Sequence, residues 1–212
     1  MSNWKKQAGR LLIVAIAAGA AVASIPSRAG ALEDGMTAFN EKDYVTALKL
    51  WRPLAEQGNP TAQYQVGILY AEGTGVVQSD VIASAWFQRA AAQGVAAAQY
   101  NLGVSYAEGL GLAKDDVAAV KWFRRAADQG MAYGQLNLGL MYAAGRGVPQ
   151  DNVEAVKWLE LAIFALPPGG ARSDAASALK GAADKLSDED LLKARGMQRQ
   201  FKATPETPPG AK

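Results

Sequence analysis

Residues 64–75 read YQVGILYAEGTG, residues 100–111 read YNLGVSYAEGLG and residues 136–147 read LNLGLMYAAGRG. The three segments superpose without a gap at a constant step of 36 residues, which holds Gly67, Gly103 and Gly139 in register, and likewise Tyr70, Tyr106 and Tyr142. Each segment closes on a Gly-x-Gly pair: Gly73 and Gly75, Gly109 and Gly111, Gly145 and Gly147. The step continues downstream through Val45, Val81, Val117 and Val153, and through Ala47, Ala83, Ala119 and Ala155. It also holds the apolar pairs Leu50-Trp51, Trp86-Phe87, Trp122-Phe123 and Trp158-Leu159. A fixed period of this length marks a repeat array, in which each unit buries its apolar face only against its neighbours.

Inside a unit the apolar spacing is helical, with Val66, Leu69 and Tyr70 in the first half and Val81, Ala85, Phe87 and Ala90 in the second. Ser79, Asp115 and Asp151 stand where the second helix should begin, and their side chains can accept from the unpaired amides of a first turn. Gln93-Gly94 and Gln129-Gly130 should end it. The expected fold is therefore all-α, stacked helix pairs in units 59–94, 95–130 and 131–166. Both ends should be caps, because an open terminal repeat exposes the face that a neighbour would bury. Residues 32–58 carry the second-helix pattern from Asp43 to Trp51 but no Gly-x-Gly loop, and Met36 to Phe39 are expected as a shortened first helix. After Leu166, Pro167-Pro168-Gly169-Gly170 should stop the array. Two charged helices are then expected near 172–185 and 188–201, completing a cap over 167–203. Ser187 with Asp190 has the form of a capping box with a short acid. The Pro-rich residues 204–212 read as disordered. They contain Pro205-Glu206-Thr207-Pro208, a PxxP match of a kind common in such tails.

Residues 1–31 carry Lys5, Lys6, Arg10 and Arg28 with no acidic residue, and the first three precede the apolar run Leu11 to Ile25. This is the layout of a secretory signal peptide. The run is shorter than the roughly 20 residues a bilayer-spanning helix needs. Ala29-Gly30-Ala31 is an A-x-A site that would leave Leu32 as the new terminus, with Ser27-Arg28-Ala29 as a competitor. Periplasmic or secreted localisation is the expectation, and membrane contact would come only through the N-terminal segment if it stayed uncleaved. Cleavage leaves 18 basic against 20 acidic residues, a net charge of −2 where the precursor has +2. Such a balance lacks the basic field that concentrates nucleic acid, so no nucleic-acid partner is expected.

The chain contains neither cysteine nor histidine. That excludes thiolate or imidazole metal ligands, cysteine nucleophiles and every histidine-based catalytic dyad or triad. The Gly-x-Gly loops follow no strand, and Gly134 to Gly139 lacks the Lys and Ser or Thr of a phosphate loop. No cofactor is expected. The aromatic residues that recur once per unit read as inter-repeat packing. Lys121, Arg124 and Arg125, on one turn of the helix after Asp115, read as a solvated convex face.

The repeated elements Ala98-Gln99-Tyr100-Asn101-Leu102-Gly103, Tyr106, Gly109-Leu110-Gly111, Asp115-Asp116, Ala119, Trp122 and Ala126-Ala127-Asp128-Gln129-Gly130 resemble the Sel-one-like repeat. This is a relative of the tetratricopeptide repeat with a longer interhelical loop. The resemblance covers three units, about residues 59–166, and implies a right-handed α-solenoid whose first helices line a concave groove. In the tetratricopeptide register that groove would present Thr61, Tyr64, Ile68 and Glu72 from the first unit. The second would add Tyr100, Val104 and Glu108, and the third Tyr133, Leu136 and Leu140. An apolar groove with tyrosines and two acids suits a protein or peptide partner, amphipathic or extended, with a basic residue or two. The alternative for this face is coverage by the array's own caps or by a second copy. The functional expectation is a non-catalytic interaction scaffold of the bacterial cell envelope, for which the resemblance permits a regulatory role. The alternative is a cell-wall or small-molecule binding module, or a hydrolase, related to cysteine-rich repeat proteins. Those relatives carry paired cysteines that this chain lacks.

Overall fold

The computed structural model describes residues 28–207, and within them every regular element is a helix. The order is α1 (Arg28–Asn40), α2 (Tyr44–Glu56), α3 (Pro60–Glu72), α4 (Asp80–Ala92), α5 (Ala96–Glu108), α6 (Asp116–Asp128), α7 (Ala132–Ala144), α8 (Asn152–Ala165), α9 (Gly170–Ala183) and α10 (Asp188–Gln200). Antiparallel pairs α1/α2 to α7/α8 stack one on the next as an α-solenoid, and α9 and α10 both pack on α8. Most of the leader, residues 1–27, lies outside the described residues.

The second-helix caps form where the sequence puts acceptors. Ser79 Oγ accepts from the Ile82 amide at 3.3 Å, Asp115 Oδ1 from Ala118 at 2.9 Å, and Asp151 Oδ1 from Val153 and Glu154. The first helices end on Gly73, Gly109 and Gly145 in the left-handed region. The second glycine of each loop has a further task. Gly111, at φ +70°, lies so close to the N-terminus of α4 that an added Cβ would collide with the Asp80 carbonyl oxygen. One unit later Gly147 meets the Asp116 carbonyl in the same way, and Arg146 beside it pairs with Asp116 at 2.6 Å. The long interhelical loop is thus an inter-repeat clamp.

The core repeats with the sequence. Tyr64, Ile68 and Ala71 of α3 pack with Phe87 of α4 and with Ala98 and Leu102 of α5, while Ala62, Val66 and Leu69 face Trp51 and Leu54 of α2. One unit on, Tyr100, Val104 and Ala107 meet Phe123 of α6 and Leu138 of α7. A first helix therefore has apolar neighbours on three sides, and its sequence is apolar nearly all round for that reason.

Two expectations about the ends are corrected. The first helix of the N-terminal cap is not shortened to Met36–Phe39 but runs 13 residues, the length of α3, α5 and α7. Gly35 in α1 accommodates the Trp51 indole, whose Nε1 donates to the Leu32 carbonyl at 3.2 Å. Residues 204–207 are not loose: they lie along the solenoid, and residues 208–212 fall outside the described residues. At α10 the Ser187 hydroxyl caps the Asp190 amide at 3.1 Å. The Asp190 carboxylate accepts from that hydroxyl instead of reaching the cap's backbone amide, being one methylene shorter than Glu.

The C-terminal cap offers a clean control on helix propensity. Gly181 is a helical, exposed residue of α9 with nothing within 4 Å of an added Cβ. Gly181→Ala is expected to stabilise the protein by about 0.5–1 kcal/mol, read as a rise in the thermal unfolding midpoint.

Candidate peptide-binding edge

The structure divides the ten groove candidates. Tyr64 (4% exposed), Ile68 (0%), Tyr100 (0%), Val104 (1%) and Leu136 (5%) are interior. Ile68, Tyr100, Val104 and Leu136 fill the space between successive units and line no open groove, and Tyr64 packs there too while also bordering the concavity described below. Tyr100 touches Tyr133 with ring centroids 5.9 Å apart and bonds to Asn137, and burial raises the pKa of its phenol. Leu136, with the half-buried Leu140, joins the cluster that binds α9 and α10. Glu72 and Glu108 sit at the far ends of α3 and α5, and partial desolvation raises the Glu72 carboxyl above its ordinary range. Eleven helical residues, about 16 Å, separate Glu72 from Thr61, so acids and tyrosines form no single site. Thr61 and Tyr64 share an opening. With Gln65, Val95, Ala96, Ala97 and Met131 they line a concavity of about 250 Å³ where the first helices begin.

That end of the first helices is also the edge where each unit turns into the next, and here the chain's own tail is bound. Phe201 stacks edge-on against Trp158 at 5.5 Å. The chain then runs extended back along the array. Ala203 lies against Gly130, the Thr204 amide donates to the Asp128 carbonyl at 2.9 Å, and Glu206 lies against Gly94. The Glu206 amide donates to Gln129 Oε1 at 3.2 Å. Its carboxylate receives Arg125 through Nε at 2.9 Å and Nη2 at 2.5 Å, a bidentate fork, and Gln99 Nε2 at 3.0 Å.

This cradle is pre-formed by the repeat. Gln99 is fully buried and donates to the Ala91 carbonyl at 3.2 Å. Gln129 Nε2 donates to Gln99 Oε1 at 2.8 Å and to the Gly94 carbonyl at 3.0 Å, so the two amides orient each other. Arg125 lies flat over the Trp122 ring, 4.7 Å from its centroid, which limits the freedom lost when the fork closes on an acid. Arg124 is likewise engaged, stacked over Tyr142 and Trp158 and bonded to the Tyr142 hydroxyl. The expectation of a solvated basic face fails for both arginines. Both are half-buried, Arg124 against Tyr142 and Trp158 and Arg125 between Trp122 and the returning tail, whereas Lys121 is exposed. The sequence reading missed Arg125, Gln99 and Gln129 as a site. The available signal was the recurrence of Arg and Gln at the 36-residue step outside the apolar pattern.

The Arg125 side chain is the largest influence holding the Glu206 carboxyl below its ordinary value, with partial burial acting against it. The nearby Asp128 carboxyl is raised, first by burial and only then moderated by Arg124 and Lys157. A carboxyl whose pKa is lower docked than free favours docking fully above its free pKa and loses that contribution as pH falls through the docked pKa. The tail is therefore expected to release on acidification, and the Thr204 amide shift should follow the titration. Glu206→Gln should remove that transition.

An array of helix pairs whose unit-to-unit edge grips an extended segment belongs to the α-solenoids that work by surface contact. The model of the Sel1 repeat matches residues 40–59, 60–95, 96–131 and 132–163, more than half of the chain, and the protein belongs to the Sel1 repeat family. The match reaches one partial repeat further toward the N-terminus than the three units read from the sequence. Among solved structures, the chain is similar to a Sel1 repeat protein from Oxalobacter formigenes. The identity is 31% and the TM-score 0.62, over 78% of this chain and 74% of that one. It is also similar to c5321, a protective antigen of uropathogenic Escherichia coli strains displaying an SLR fold. There the identity is 26% and the TM-score 0.57, over 88% of this chain and 51% of that one. No curated protein matches the sequence. Sel1 repeat proteins generally serve as protein-interaction scaffolds, a role in which the fold is typically non-catalytic.

Proposed function

We propose that this chain is a non-catalytic scaffold of the bacterial cell envelope, exported by cleavage near Ala31, which holds an extended segment of a protein partner along its turn edge and the adjoining concavity. The observation that carries this reading is the mode in which residues 201–207 are held. Backbone amides are satisfied by Asp128 and Gln129, and one side chain is read by Arg125 and Gln99. This is the division of labour by which scaffolds recognise extended peptides, main chain for affinity and side chain for specificity. Cleavage after Ala31 would remove the first turn of α1, including Ala31 and its core contact, and keep the Leu32 carbonyl that receives Trp51.

The test is affinity capture from envelope extract with residues 32–212. Thr61→Arg with Ala97→Arg runs in parallel, since both positions are partly exposed on the concavity, and circular dichroism checks that the double variant stays folded. A protein retained by wild type and lost with the double variant supports the scaffold reading, while identical retention by both contradicts it. N-terminal sequencing of the protein from cells should find a species starting near Leu32. A terminus at Met1 in the membrane fraction would make it an anchored protein instead.

A further inference from the structure

The carboxylate cradle occurs twice. One repeat before Arg125, Gln129 and Gln99 the sequence places Arg89, Gln93 and Gln63, and the structure builds them alike. Gln93 Nε2 donates to Gln63 Oε1 at 2.8 Å and to the Gly58 carbonyl at 3.0 Å, the distances found for Gln129 with Gln99 and Gly94. Gln63 is buried and donates to the Ala55 carbonyl at 3.1 Å, as Gln99 does to Ala91. Arg89 lies over the Trp86 ring at 4.5 Å, as Arg125 lies over Trp122 at 4.7 Å. Arg89 is exposed, and among the described residues no carboxylate reaches it or Gln63. The third unit cannot form the site. Leu161 and Ala165 replace the Arg and Gln, and Gln135 Oε1 is left buried without a partner. Phe201 instead occupies that end of the edge, against Trp158.

The tail also sets the spacing. It advances from Gly130 at Ala203 to Gly94 at Glu206, one repeat in three residues. Three extended residues span about 10 Å, which matches the 8–10 Å between packed helices. We infer that the edge is a two-site acid reader. It takes an extended partner segment with an aromatic residue followed by two acidic residues three positions apart, the first on Arg125, Gln129 and Gln99 and the second on Arg89, Gln93 and Gln63. The chain's own tail fills only the aromatic position and the first acid site, and so competes in cis with such a partner. In this sequence the residue three after Glu206 is Pro209, so the tail lacks the second acid. This deepens the scaffold reading by naming the partner's chemistry, and it can fail alone, because peptide binding is measured without reference to compartment or natural partner.

The experiment uses the chain with Glu206→Gln, which frees the first cradle, and two fluorescein-labelled nonapeptides titrated by polarisation. One has the sequence of residues 201–209, the other the same sequence with Pro209→Glu. The expected result is that the second peptide binds about tenfold more tightly, the worth of one charge-assisted contact set. Arg89→Gln should abolish that gain while leaving the first peptide unaffected, and Arg125→Gln should weaken both. The wild-type chain should bind either peptide less well than the Glu206→Gln chain. Circular dichroism checks that the variants stay folded. Equal affinity for the two peptides, a gain that survives Arg89→Gln, or binding of neither peptide would overturn the inference.

Discussion

Gly103→Leu is expected to destabilise the protein by about 3 kcal/mol. A Cβ at Gly103 would stand 2.6 Å from the Phe123 ring, and Phe123 is fully buried between the second and third units, so it has no vacant space to move into. The same contact recurs as Gly67 on Phe87 and Gly139 on Leu159, so the glycine is the point where the two helices of each unit cross. For a chain of this size each kcal/mol lowers the thermal midpoint by about 2–4 °C, and a fall of roughly 6–12 °C should be seen by calorimetry. Because Gly103 lies mid-array, the transition should also broaden as units on either side of the defect lose their coupling. An unchanged melting curve would mean that the helices do not cross there.

Tyr100→Ala should cost about 3–5 kcal/mol, the range for removing a large aromatic side chain from a core. The side chain is fully buried, packs on Phe123 at 6.0 Å and on Tyr133 at 5.9 Å, and bonds through its hydroxyl to Asn137, which would be left unpaired. Denaturant unfolding measures this directly. Tyr100→Phe separates the two contributions, since it keeps the ring and loses only the hydrogen bond, at a cost of about 1 kcal/mol. A Tyr100→Ala protein with wild-type stability but impaired partner binding would restore Tyr100 to a groove and contradict its place in the core.

Why the period, the helix pairs and the caps were legible in the sequence while the groove was not follows from how each is encoded. Gly103 and Ser79 act through local geometry, a close approach and a first-turn acceptor, and such demands leave the same residue at the same place in each unit. Tyr64 and Tyr100 also recur in phase, which is a packing signal. Placing them on a free face required the tetratricopeptide register, whose first helices keep one side open. Here the first helices are enclosed by the preceding pair, their own partner and the next first helix, so five of the positions assigned to the groove, Tyr64, Ile68, Tyr100, Val104 and Leu136, are core. The edge site escaped notice for a different reason. It joins Arg125 and Gln99 to Glu206, which is 107 residues from Gln99, and no local pattern links a Pro-rich tail to a distant turn. In sequence Arg125 is one of three neighbouring cations, and what sets it apart is the tail that lies across it.

Holding an extended acidic segment on the turn edge is tested most directly by backbone amide exchange at Thr204 and Glu206 in the full chain at neutral pH. These amides donate to the Asp128 carbonyl and Gln129 Oε1, and the fork from Arg125 to Glu206 keeps them in place. Docking predicts that both exchange at least about tenfold more slowly in wild type than in Arg125→Gln. Equal, unprotected rates in the two proteins would contradict it.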